Sequence, residues 1–329
     1  HFCLFLICLA CRRKQDKISA MKKPRHLLGI EELSVEEVRR FLDTGKKFKK
    51  ELDSGSRRWD LLRGQTVASL FYEASTRTRG SFEMAAKRLG ADFIHITADA
   101  TTSVSKGETL LDTAKNMEAM NPDFLVLRHS SSGAPQLLSR NLNIPVINAG
   151  DGFHEHPTQA LLDAMTIEEH FKKLSGLNIT IIGDIAHSRV ARSNIHLLKK
   201  FGAKIRVCGP RTLLPPRLNE LGVEACVHLE DAIENADVVM MLRIQFERQS
   251  DKQIPSNAEY YRFYGLHAQS VKRLKKNAII MHPGPLNRGV EISPEVADGE
   301  NSVILSQVTN GVAIRMGVLV VLAGLEKKL

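Results

Sequence analysis

From about residue 66 the chain alternates short extended runs with helical ones, and that alternation constrains the fold more than any other feature. Thr66–Phe71, Phe93–Thr97, Phe124–Leu127 and Pro145–Asn148 are the extended candidates, with helical patterns near Ser81–Leu89 and Gly107–Met120 between them. Such alternation predicts a parallel sheet covered by helices. The run His156-Pro157-Thr158-Gln159 then opens another helix, with Pro157 in its first turn and Leu161, Met165 and Glu168 down one side. From Gly176 the pattern resumes, with strands at Asn178–Ile182, Lys204–Val207 and Val238–Leu242 and a helix at Val190–Phe201. The expected fold is therefore α/β, in two domains that each hold a mainly parallel sheet flanked by helices, the second Rossmann-like in pattern. After Gly183 the turn reads Asp184-Ile185-Ala186-His187, so the glycine fingerprint of a dinucleotide site is missing and a nicotinamide enzyme is not expected. A last, mostly apolar helix, expected within 306–329, reads as buried.

A chain of 329 residues with 43% apolar content can bury the core that two domains require. It has no run of eighteen or more uncharged apolar residues, and no membrane span is expected. Residues 1–20 do not match the rest: an apolar run, Phe2–Ala10, precedes Cys11, Arg12 and Arg13, the reverse of a secretory signal. This segment is set aside as upstream or non-native, with Met21 as the expected start. Without it the formal charge of +9 falls to +6, because it carries four basic residues and one acidic. Dispersed over the chain without RNA-binding aromatic motifs, that surplus suits anionic substrates rather than nucleic acid. Only Cys208 and Cys226 remain beyond the segment, too few for a disulfide framework or a cysteine zinc motif, so a cytoplasmic protein is expected.

Ser75-Thr76-Arg77-Thr78-Arg79 sits between the first strand and a helix whose face carries Phe82, Ala85, Ala86 and Leu89. Unpaired N–H groups and the positive end of the helix dipole favour a phosphate there, and Arg77 adds a planar fork of donors. Ser, Thr and Arg before a helix serve equally as caps and surface charge, so local chemistry leaves both readings open. The longer run Phe71-Tyr72-Glu73-Ala74-Ser75-Thr76-Arg77-Thr78-Arg79 resembles the carbamoyl-phosphate site of the transcarbamylases. The resemblance recurs in order at Ser103–Glu108 (SVSKGE), Leu127–His129 (LRH), His156–Gln159 (HPTQ), His187–Arg192 (HSRVAR), Leu242–Arg248 (LRIQFER) and Met281–Ile292 (MHPGPLNRGVEI). The chain is thereby identified as a member of that family, on its aspartate branch.

The resemblance implies a carbamoyl-phosphate-binding domain at 21–157, with the helix of 306–329 packed back on it, and an aspartate-binding domain at 158–305. It implies transfer of the carbamoyl group from carbamoyl phosphate to the amine of L-aspartate, the entry to pyrimidine synthesis, with no cofactor. For carbamoyl phosphate it implies Ser75, Thr76, Arg77, Thr78, Ser103, Lys106, Arg128, His156 and Gln159, with the turn residues Pro283, Gly284 and Pro285 facing the carbamoyl amide. Arg77, Thr78, Lys106, Arg128 and His156 form the implied catalytic set. For aspartate it implies Lys106, Arg189, Arg243 and Gln245; paired guanidiniums suit a dicarboxylate because each can bind one carboxylate bidentately. The Ser-Met-Gly loop and His-Cys-Leu-Pro turn of the ornithine enzymes are absent; this chain has His282-Pro283-Gly284-Pro285. Glu73, pairing with Arg189 and Arg248, is implied to hold a closed form.

His154-Glu155-His156 is not expected to bind metal, because two His at i and i+2 do not share a helix face and no third ligand motif accompanies them. Where relatives can carry two adjacent lysines, the loop here has one, and Lys106 takes the role by position. The resemblance also implies a homotrimer with shared active sites, Lys106 reaching the neighbouring site, and admits a regulatory chain or a dihydroorotase-like partner. A catalytically silent assembly subunit is the alternative, and the intact reactive set argues against it.

Overall fold

The computed structural model describes residues 25–97, 107–245 and 254–329. Ser103, Lys106, Arg248 and the first twenty residues lie outside them. Helix α1 (Val35–Asp53) precedes β1 (Thr66–Phe71), α2 (Thr76–Arg88), β2 (Asp92–Thr97), α3 (Leu110–Ala119), β3 (Phe124–His129), α4 (Ala134–Asn141) and β4 (Val146–Asp151). These strands form a four-stranded sheet in the order β2-β1-β3-β4, every pairing parallel. Helix α5 (Pro157–Phe171) leads to a second sheet. There β5 (Asn178–Ile182), α6 (Arg189–Lys200), β6 (Lys204–Cys208), β7 (Glu224–Cys226), α7 (Leu229–Ile233), β8 (Val238–Met241), α8 (Asn257–Tyr264), α9 (Ala268–Val271) and β9 (Ile279–Met281) follow. Its order is β7-β6-β5-β8-β9, again all parallel. Helices α10 (Pro294–Ala297) and α11 (Ile304–Ala323) complete the chain.

The central strands read as continuous apolar runs because both faces are covered. β8 is buried along its whole length, and β3 is buried until Arg128 and His129 emerge at its carboxyl end. α1 is set by its ends: Ser34 and Glu37 form a reciprocal capping box, and Val38, Phe41, Leu42 and Phe48 fill the buried face. One core cluster runs through both sheets, joining Phe41 and Ile147 to Met165, Ile179 and Val320.

α11 is long and apolar enough, by length and composition, to cross a membrane, yet 72% of its eighteen-residue window is buried. It packs against α1, α2 and α5. Gly45 of α1 and Gly317 of α11 let the two backbones touch: a Cβ on Gly317 would fall 2.8 Å from the Gly45 nitrogen. The helix starts at Ile304 and stops at Gly324, whose φ of +75° ends it in a left-handed turn, so it does not extend to residue 329. The three-residue strand β9 and the short β7 carry too few residues to show a period and went unrecognised in the sequence.

Candidate active site

The carboxyl ends of both sheets face one cleft of ≈ 830 Å³. β1 delivers the chain to Ser75, the N-cap of α2, whose side chain makes no capping hydrogen bond. No acidic residue occupies the first turn of that helix. The capping alternative is therefore not what Ser75 does here; the helix start offers its donors to the cleft, which Ser75, Thr76, Arg77 and Thr78 all line. From β3, Arg128 donates through Nη1 to the Ala149 carbonyl at 3.2 Å, and its Nε lies 3.4 Å from Glu73 Oε2.

His156 is the N-cap of α5 and is 4% exposed. Its backbone N–H donates to Ser193 Oγ at 2.8 Å, and that hydroxyl donates to Glu155 Oε2 at 2.7 Å. The Glu155 carboxylate also accepts the N–H groups of Ile30, at 2.8 and 2.9 Å, and Glu31, at 3.1 Å. A buried carboxylate that accepts four hydrogen bonds from three donor groups is stabilised in place, and it holds the chain entering His156. Among the described residues, Glu31, His154 and Glu155 bring ligand-type atoms within 4.8 Å of one another. The Glu155 oxygens in that group are already occupied by these donors, and His154 Nδ1 lies 3.1 Å from Asp151 Oδ2.

The second domain closes the other side. Arg189 opens α6, 3% exposed, and its Nη2 donates to Glu73 Oε2 at 2.5 Å, so Glu73 ties the first sheet's loop to the second domain. Glu73 also pairs with Arg128, beyond the partners that the resemblance implies. Arg243 follows β8, with Nη2 at 3.4 Å from Gln245 Oε1. The Gln245 N–H reaches Asp184 Oδ2 at 3.3 Å, and the His187 N–H reaches Asp184 Oδ1 at 3.1 Å. After β9 comes the His282–Pro285 turn, with a cis bond between Gly284 and Pro285. Gly284 N–H donates to His282 Nδ1 at 2.7 Å, which leaves Nε2 as the donor to Glu291 Oε1 at 3.0 Å.

The turn meets the Ser75–Thr78 run across the cleft. Gly284 has φ +65°, and a Cβ there would sit 2.8 Å from Arg77 Cζ. Burial lowers the Arg77 pKa, and the neighbouring Arg243 lowers it further. The Arg77 and Arg243 charges in one cleft repel each other, which disfavours leaving both unneutralised.

Arg77, Thr78, Arg128, His156, Gln159, Arg189, Arg243, Gln245, Gly284 and Pro285 thus line one cleft, together with Glu73, Ser75, Thr76 and Pro283. Residues that the sequence did not single out support them. Asp163, on α5, is fully buried and accepts side-chain amides from Gln159, Gln307 and Asn194 at 2.9, 2.7 and 2.8 Å. Burial pushes its carboxyl up to about 6 against those hydrogen bonds, while burial pushes the nearby Arg315 guanidinium down to about 10. The available signal was an acid one helical turn after Gln159, set among Ala160, Leu161, Leu162, Ala164 and Met165.

Comparison with known proteins places these elements in a family. Residues 25–169 match the model of the aspartate/ornithine carbamoyltransferase carbamoyl-P binding domain, and residues 175–322 match that of the Asp/Orn binding domain. An aspartate carbamoyltransferase catalytic subunit of Solibacter usitatus is 58% identical over 298 residues, covering 90% of this chain and 98% of its own. One from Syntrophus aciditrophicus is 56% identical over 300 residues, covering 91% and 97%. Among solved structures, aspartate transcarbamoylase of Trypanosoma cruzi with N-(phosphonacetyl)-L-aspartic acid superposes with a TM-score of 0.84 at 29% identity, covering 92% of this chain and 96% of that one. Ornithine carbamoyltransferase of Pyrococcus furiosus superposes at 0.82 with 29% identity, covering 93% and 99%.

Proposed function

The chain belongs to the aspartate/ornithine carbamoyltransferase family, and we infer from that premise and from its cleft that it is an aspartate carbamoyltransferase. It transfers the carbamoyl group of carbamoyl phosphate to the amine of L-aspartate, giving N-carbamoyl-L-aspartate and phosphate. The fold does not discriminate between the two branches, since structures from both superpose equally well. The observation that carries the aspartate reading is the pair Arg189 and Arg243, with Gln245, facing the anion-binding helix start across one cleft. A dicarboxylate can neutralise both guanidiniums, whereas the ornithine side chain would add a third cation.

In this reading the neutral amine nitrogen attacks the carbonyl carbon, the bond from that carbon to the phosphate oxygen breaks, and phosphate leaves with the electron pair and takes up the proton the nitrogen sheds. Ser75, Thr76, Arg77 and Thr78 hold the phosphate at the start of α2. Charge develops on the carbonyl oxygen during attack, and Thr78, Arg128 and His156 donate to it; preorganised donors of this kind lower the barrier without reorganising. His156 suits that duty because its backbone is fixed through Ser193 and Glu155. Gln159 and the Gly284–Pro285 turn bind the carbamoyl amide, and Arg189, Arg243 and Gln245 orient aspartate so that its amine lies in line. Ser103 and Lys106, outside the described residues, complete the anion clamp.

Purified protein given carbamoyl phosphate should carbamoylate L-aspartate and not L-ornithine. Equal turnover of ornithine would sink the assignment, and binding of carbamoyl phosphate without turnover of either amine would favour the silent subunit. The reading includes a homotrimer in which the Lys106 loop serves the neighbouring site. Remixed Lys106→Ala and His156→Ala subunits should then regain activity, and hybrid trimers that stay inactive would refute the sharing.

A further inference from the structure

Beneath the cleft, one buried carboxylate organises two of its walls. Gln159 Nε2 and Gln307 Nε2 both donate to Asp163 Oδ1, at 2.9 and 2.7 Å, and Asn194 Nδ2 donates to Oδ2 at 2.8 Å. The three amides come from α5, α11 and α6, so three helices meet on a side chain with no solvent exposure. An ionised carboxylate only accepts, and a side-chain amide has one donor end and one acceptor end. Each amide must therefore turn its NH2 toward Asp163 and its carbonyl oxygen away.

For Gln307 the consequence is visible. Its Oε1 accepts the backbone N–H of His282 at 2.9 Å, and His282 begins the turn that carries Gly284 against Arg77. For Gln159, which lines the cleft, Oε1 becomes the group it can offer a ligand. An acceptor there matches the NH2 of a carbamoyl group, which only donates. Arg315, also lining the cleft and 4% exposed, holds its guanidinium by donating Nη1 to the Gly311 carbonyl at 3.0 Å. It lies over the Phe82 ring, 5.1 Å from the centroid, and adds positive charge on the α11 side of Asp163.

We propose that Asp163 is a positioning residue. It fixes the acceptor end of Gln159 toward the carbamoyl NH2 and, through Gln307, sets the His282–Pro285 turn against Arg77. The proposal rests on the carbamoyl-transfer reading and adds to it the group that orients the amide site. A residue that merely filled the core would stabilise the fold without selecting which end of Gln159 faces the ligand.

The test is Asp163→Asn, which keeps the shape but can donate as well as accept, so neither glutamine retains a unique orientation. The carbamoyl phosphate KM should rise by about ten- to a hundredfold, the range of a hydrogen bond to a charged partner. The aspartate KM, measured at saturating carbamoyl phosphate, should change much less. Combined with Gln159→Ala, the same substitution should raise that KM only by the smaller share carried through Gln307. A full repeat of the single-variant effect in the Gln159→Ala background overturns the proposal. Should Asp163→Asn fail to fold, Gln307→Met removes the donor to Asp163 and the acceptor for His282 N–H together, and it should raise the carbamoyl phosphate KM likewise. An unchanged KM in that variant overturns the proposal too. The unmutated enzyme, assayed in parallel, separates the two readings: no turnover there overturns the function and this proposal together, whereas normal turnover with independent variant effects overturns the proposal alone.

Discussion

Replacing Gly284 with alanine should impair carbamoyl phosphate binding far more than it impairs folding. Two costs arise. A residue with a Cβ pays about 1–2 kcal/mol at a left-handed φ such as the +65° found here. The new methyl would also stand 2.8 Å from Arg77 Cζ, when ordinary contact begins at 3.4 Å, so the guanidinium must retreat by about half an ångström or more. Because that guanidinium is the far end of a flexible side chain, folding tolerates the shift and the cost falls on ligand binding. A displacement of roughly 1 Å in a positioning group costs on the order of a hundredfold, so a rise of about tenfold in the carbamoyl phosphate KM, or an equal fall in kcat/KM, is expected. Gly289, five residues along, provides the control: its φ is +80°, and nothing lies within 4 Å of where its Cβ would be. Gly289→Ala should carry the backbone strain alone. Steady-state kinetics and thermal unfolding of both variants decide the matter. Similar Tm losses with a kinetic defect confined to Gly284→Ala support the reasoning, and equal carbamoyl phosphate KM values in the two variants would refute it.

Arg243→Ala should raise the aspartate KM and lower kcat while carbamoyl phosphate affinity changes little; loss of a desolvated carboxylate contact costs roughly 2–5 kcal/mol, and a larger effect on carbamoyl phosphate than on aspartate in a two-substrate assay would overturn the role. Glu73→Ala should weaken catalysis in a protein that still folds, because it removes the partner of Arg189 and Arg128 that ties the two sheets' loops together. Unaltered substrate-induced compaction of that variant in solution scattering counts against the tie. A last expectation concerns pH. Burial holds the Asp163 carboxyl at about 6 against an ordinary 3.8, so the folded state binds this proton more tightly than the unfolded one. The group's destabilising contribution is thus present in full above pH 6 and fades as pH falls toward 4. Denaturant unfolding at pH 4.5 and 7 should show the stability difference between the unmutated protein and Asp163→Asn shifting in favour of the unmutated protein at the lower pH, and a pH-independent difference rules it out.

Much of the site was legible in short segments. The Ser75–Thr78 run pointed to an anion site because strand end, hydroxyls, guanidinium and helix start are adjacent in the chain, and the family resemblance chose that reading over capping. Arg128 and Arg243 each follow an apolar run of strand length, but it was the family resemblance that marked them as site residues rather than solvated strand-end charges. The alternation of periods settled the two parallel sheets, but not the three-residue β9, which is too short to show one. His156 stood out only through its resemblance to a family motif, since one histidine before a helix has no distinctive local chemistry.

The sequence by itself determined the α/β class, the donor-rich start of α2 and the identity of the cationic side chains, because strand and helix periods, caps and strand ends are contacts between near neighbours. Only the tertiary structure decided how they act together. Glu73 meets Arg189 from 116 residues away, and Gln307 meets Asp163 from 144. Gly284 reaches Arg77 only because the second sheet's last strand ends opposite the start of α2. Asp163 is buried only because α6 and α11 pack over α5 and supply Asn194 and Gln307 to its carboxylate. The physical reason is that burial and long-range hydrogen bonding are set by how helices pack across the junction of two sheets, and no window of adjacent residues contains that packing.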